Sequence, residues 1–68
     1  MKLYRLITGP DDATFCHRVT KAVSNDWKLA GSPALTYNAD TKQNVCAQAV
    51  TKDVPGEDYH EDIKLSEY

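Results

Sequence analysis

The sequence predicts an α+β domain of β-α-β-β order: a three-stranded antiparallel sheet, spatial order 1-3-2, with one helix packed on one face. Three observations carry that expectation. Residues 2–8 (KLYRLIT) are aliphatic and aromatic and stop at Gly9-Pro10. A stretch of helical period follows, from about Asp12 to Ser24. Two more strand-like runs, residues 27–37 and 44–52, flank the polar, turn-rich residues 38–43 (NADTKQ) as the arms of a hairpin flank its loop.

The first strand ends where a breaker dipeptide begins. Alternation sets Leu3, Arg5 and Ile7 on one face and Tyr4 and Leu6 on the other, so both faces are partly apolar. Asp11 and Asp12 stand where a helix needs an N-cap and an acidic first turn. Behind them Phe15, Cys16, Val19, Ala22 and Val23 fall within about 120° of arc, the width of a core-facing stripe. Thr14, His17, Arg18 and Lys21 take the opposite side. Asn25-Asp26 is the stop, with Asn25 the residue suited to a left-handed turn.

Residues 27–37 hold the only tryptophan and a Gly31-Ser32-Pro33 break. Proline cannot donate to a ladder, so this second strand belongs at an edge or carries a bulge at the break. Residues 44–52 (NVCAQAVTK) form the third strand, with Val45, Ala47 and Ala49 on one face and Cys46, Gln48 and Val50 on the other. A helix between strands one and two makes those two parallel, and the hairpin reverses strand three. Placing strand three between them yields the 1-3-2 order with a right-handed crossover. The order 1-2-3 competes, but the break favours strand two at an edge.

Sixty-eight residues allow one small domain. A chain this short buries only roughly 60% of the surface it exposes when unfolded, so its core is marginal. Residues 1–54 form the α+β domain, with seven Lys/Arg against five Asp; residues 55–68 hold five acids against Lys64 and read as a flexible acidic tail. Tyr59, Ile63, Leu65 and Tyr68 are apolar spots within that tail. No clustered basic face suits nucleic acid. No apolar run reaches the ~18–20 residues of a membrane span. Without a secretory pattern, two cysteines point to reduced thiols in the cytoplasm.

Several of these residues resemble a known family. Residues 4–9 (YRLITG), the helical residues 15–23, Trp27-x-Leu29-x-Gly31-Ser32-Pro33 and Gln48-Ala49 are similar to a bacterial family of short domains, domain-of-unknown-function family 1737. The resemblance covers roughly residues 1–52 and implies a small bacterial α+β domain. It brings no catalytic residues with it, because that family has no assigned activity.

The chemistry-bearing residues make no constellation. Cys16 and His17 are adjacent, and helical neighbours point about 100° apart, so no nucleophile–base pair results. Cys16, His17, Cys46 and His60 are zinc-ligand types without a Cys-x-x-Cys or His-x-x-x-His pair. A Cys16–Cys46 disulfide is conceivable across the helix–sheet interface, but a reducing compartment disfavours it. Gly9-Pro10 and Gly31-Ser32-Pro33 match no phosphate loop, and Asp11 and Asp12 would repel an anion. The tail acids lack the twelve-residue calcium-loop pattern. No catalytic group, metal ligand or cofactor site is therefore expected.

Gln48 is the polar residue to watch, an amide among small apolar residues on a central strand. It either meets a ligand or second subunit near Trp27 and Tyr37, or faces solvent on the open side of the sheet, or pairs with neighbouring backbone. One helix covers one sheet face, and the other face is also partly apolar. A second copy, the tail's Tyr59, Ile63 and Leu65, or another protein would shield it. The leading expectation is a non-enzymatic interaction module that self-associates through its sheet as a homodimer. The alternative is a small-molecule binding or enzymatic domain with its pocket at the dimer seam near Trp27, Tyr37 and Gln48.

Overall fold

A computed structural model describes residues 1–68. Along the chain come β1 (Lys2–Pro10), α1 (Ala13–Ser24), β2 (Lys28–Asn38) and β3 (Gln43–Asp53), then a short 3-10 turn at Leu65–Glu67. The strand order is β1-β3-β2, with both pairings antiparallel and the helix between β1 and β2 in sequence, as the sequence predicts. β1 runs through the expected break, two residues past Thr8, because Gly9 and Pro10 pair with Cys46 and Val45. An edge strand tolerates that proline, since its missing N–H is not needed there.

Directly paired residues share a face of the sheet. Leu3, Arg5 and Ile7 of β1 stand opposite Lys52, Val50 and Gln48 of β3, and across β3 the same face takes in Leu29, Leu35 and Tyr37 of β2. The other face holds Tyr4 and Leu6, then Ala49 and Ala47, then Ala30, Ala34 and Thr36. The β1–β3 ladder is unbroken. Between β2 and β3 it breaks: Ala30 pairs with Ala49 and Ala34 with Ala47, so Gly31-Ser32-Pro33 faces Gln48 alone. The bulge carries two surplus residues. One would have flipped every later side chain to the opposite face; two keep the alternation in phase.

Asp12 caps α1, its side chain accepting the Thr14 N–H at 2.9 Å and also the Thr14 hydroxyl. At the other end the left-handed residue is Asp26 (φ 70°), not Asn25. Asn25 instead donates its side-chain amide back to the Lys21 carbonyl at 3.0 Å, closing the last turn. The helix lies chiefly along β1, with lighter contact to β3 and β2. Phe15, Val19 and Ala22 pack inward, while Cys16 and Val23 of the predicted stripe stay exposed. A helix seated over an edge strand covers only the part of its stripe aimed at that strand.

The buried apolar residues are Leu3, Ile7, Ala22, Trp27 and Val50, all on the helix side of the sheet. Met1, Phe15, Val19, Val54, Ile63, Leu65 and Tyr68 pack around them. Three of these belong to the tail, which returns to the helix side, where the Lys52 ammonium donates to the Tyr68 carbonyl. The tail therefore extends the helical cover and leaves the far sheet face untouched, while its own Tyr59 stays exposed. No helix is long and apolar enough to cross a membrane.

Candidate functional site

Trp27 sits at the hinge between α1 and β2, where the left-handed Asp26 turns the chain; the Trp27 N–H donates to the Ala22 carbonyl at 3.1 Å. It is only 2% exposed. The Arg5 guanidinium lies over its ring, 5.4 Å from the centroid, a cation–π contact at the margin of the core. Around that margin is a cleft of about 180 Å³, lined also by Arg18, Lys21, Asn25, Ser66 and Tyr68. Arg18 is committed elsewhere, donating to the Thr8 carbonyl. Lys21 belongs to the last turn of α1, where a cation complements the helix dipole.

Gln48 is 5% exposed, the one buried polar side chain. Its Nε2 donates to the Ala49 carbonyl at 2.9 Å and, over a long 3.4 Å, to the Gly31 carbonyl. The bulge explains this: Gly31-Ser32-Pro33 cannot follow the β3 ladder, and Gln48 is the β3 residue facing the gap. Its amide supplies a donor that the interrupted ladder no longer provides. Of the readings open to Gln48, this geometry is the one that pairs with neighbouring backbone, and burial rules out the one that faces solvent. The Gly-Ser-Pro and Gln-Ala stretches, seventeen residues apart, are thus two sides of one structural device.

Tyr37 lies elsewhere. It pairs with Asn44, whereas Lys28, next to Trp27, pairs with Thr51. Seven rungs separate those positions, about 24 Å along the strand at ~3.4 Å per residue. Within one chain, Trp27, Tyr37 and Gln48 do not converge on a pocket. Two are packed and one is open.

Cys16 and Cys46 are both free thiols, Cys16 exposed and Cys46 half-buried. Burial pushes the Cys46 thiol up, and the Asp11 carboxylate beside it adds to the shift, away from the reactive thiolate. His17 is exposed on α1 and His60 lies in the tail. No three His, Cys, Asp or Glu side chains gather as a metal site would require. The largest hollow, about 510 Å³, is lined by Pro10, Asp11, Asp12, Gln43 and Asn44 and has no apolar wall.

Tyr37 belongs to an exposed apolar surface of β2 whose other members, Leu29 and Leu35, no chemical motif singles out. Leu29, Leu35 and Tyr37 project from the helix side beyond the reach of α1 and are 58%, 61% and 60% exposed. On the far face Tyr4 and Leu6 are also more than half exposed. The signal was present in the sequence: residues 29–39 form its longest run without an acid or base.

The family model described as Domain of unknown function (DUF1737) matches residues 1–53, and the chain belongs to that family. The match ends where β3 ends, so it takes in the sheet, the helix, the bulge and Gln48, and excludes the tail. No curated protein and no solved structure matches the chain.

Proposed function

We propose that this member of the family is a small, non-enzymatic interaction module of the bacterial cytoplasm, working as a homodimer that assembles through its sheet. One observation carries the reading. Of the seven large apolar side chains left exposed, five sit on the strands: Tyr4, Leu6, Leu29, Leu35 and Tyr37. A core of five buried apolar residues is small even for this length, and association is a common remedy for so little buried surface. The distribution of candidate groups agrees with a binding role. The half-buried thiol is held from ionising, the exposed thiol has only a helical neighbour for a base, and the buried amide is occupied. The cations near Trp27 cap a carbonyl, a ring and a helix end, and form no stripe for nucleic acid.

Light-scattering mass of the full chain on a size-exclusion column, across a concentration series, tests this. Twice the chain mass at micromolar concentration is expected. A mass that stays monomeric to several hundred micromolar overturns the reading.

A further inference from the structure

We infer that two copies join edge to edge, β2 against β2 in antiparallel register about Thr36, so that two three-stranded sheets become one of six strands. This pairing presupposes the self-association proposed above and specifies its surface. β2 is an edge strand of eleven residues, paired on one side only. Exposed edges are normally guarded by charges, prolines or bulges, because their free N–H and C=O groups accept any strand. Here the guards are Lys28 at the start of the strand and Gly31-Ser32-Pro33, where the ladder is already interrupted. From Ala34 to Asn38 the strand is regular, wholly exposed and uncharged.

A second copy is the occupant that this segment fits best, because the segment complements itself. A two-fold axis at Thr36 sets Thr36 opposite its own counterpart on the far face. It sets Leu35 of each chain opposite Tyr37 of the other on the helix side, twice by symmetry. Threonine pairs and aromatic–aliphatic pairs are favourable cross-strand neighbours, and no like charges meet. Pro33 falls just outside the paired stretch, so its missing N–H costs no bond. The same joint covers side chains that neither α1 nor the tail reaches, Leu35 and Tyr37. Packing through the far face instead would cover Tyr4 and Leu6 and leave this row in water.

The experiment uses the full chain. Directly opposed residues of an antiparallel pair have Cα atoms about 4.5–5.5 Å apart, within reach of a disulfide. Thr36→Cys, in a Cys16→Ser background, is oxidised at low concentration and read as a cross-linked dimer, beside Leu6→Cys on the far face. In parallel, Thr36→Lys and Leu6→Lys are read by light-scattering mass. Cross-linking at Thr36→Cys, with Thr36→Lys monomeric and Leu6→Lys still dimeric, supports the edge joint. The reverse pattern overturns it while keeping self-association by way of the far face. A monomeric unsubstituted chain overturns both.

Discussion

Gln48 donates its side-chain amide to the carbonyl of Gly31, a residue seventeen positions earlier in the chain, across the bulge that interrupts β2. The buried amide is there because the strand opposite it is broken, and the strand is broken where a proline lacks a donor. Replacing Gln48 by Ala removes the donor and leaves space, and should lower stability by about 1–3 kcal/mol in urea denaturation. Gln48→Glu should do worse at neutral pH, since a carboxylate would face two carbonyl oxygens with nothing to donate. Equal stability of Gln48→Glu and the parent would remove the role assigned to this side chain.

Gly31 and Gly9 separate two uses of glycine. Gly31 has φ +72° and open space where a Cβ would stand, so Gly31→Ala meets no neighbour and suffers from backbone conformation alone. A loss of about 1–2 kcal/mol is expected. At Gly9 an added Cβ would lie 3.5 Å from Phe15 Cδ2, ordinary contact, with no left-handed backbone. Gly9→Ala should be neutral or stabilising by up to about 1 kcal/mol through the unfolded chain. Thermal melts of the two variants side by side check this, and a larger loss at Gly9 would reverse the assignment.

Trp27 reports on the tail. Tyr68 and Ser66 line the cleft at its margin, and Ile63, Leu65 and Tyr68 pack on the core cluster. Removing residues 55–68 should shift Trp27 emission to the red and lower stability by about 1–3 kcal/mol, the lost burial being partly offset by freed chain entropy. Unchanged emission would mean that the tail gives the tryptophan no cover.

The cap of α1 should be visible in the pH dependence. The Thr14 hydroxyl, bonded to the Asp12 carboxylate, is the main cause holding that group below its usual range. A depressed folded pKa means stability that is present above the ordinary carboxylate range and lost as pH falls through the depressed value. Asp12→Ala should therefore melt below the parent at pH 7, and the gap should narrow towards pH 2. A gap that holds constant with pH would assign the effect to something other than the charged cap.

How much of this was legible beforehand depends on the distance over which each feature is determined. Strand, helix and hairpin follow from short-range patterns: breakers at Gly9-Pro10, an N-cap at Asp12, a stripe through Phe15, Val19 and Ala22, polar turn residues before Gln43. The 1-3-2 order follows from one proline, because Pro33 suits an edge and not a centre. Even the bulge was announced by Gly31-Ser32-Pro33. The stop at Asn25-Asp26 is legible too, but its left-handed residue is Asp26 and not Asn25, a one-residue difference of the kind that helix ends invite.

Only the tertiary structure decided what each face meets. Alternation in β1 marks Leu3 and Ile7 against Tyr4 and Leu6 as two comparably apolar rows, and nothing local says which row the helix takes. The position of α1 over β1 rather than over the sheet's middle buries the first row and strands Cys16, Val23 and the β2 side chains. Register set Gln48 opposite the bulge, and packing of Ile63, Leu65 and Tyr68 on the core cluster set the tail on the helix side. The sequence by itself determines the elements and their order, because these rest on backbone preferences a few residues long. Burial and partnership rest on contacts between residues tens of positions apart, and those exist only once the chain has folded.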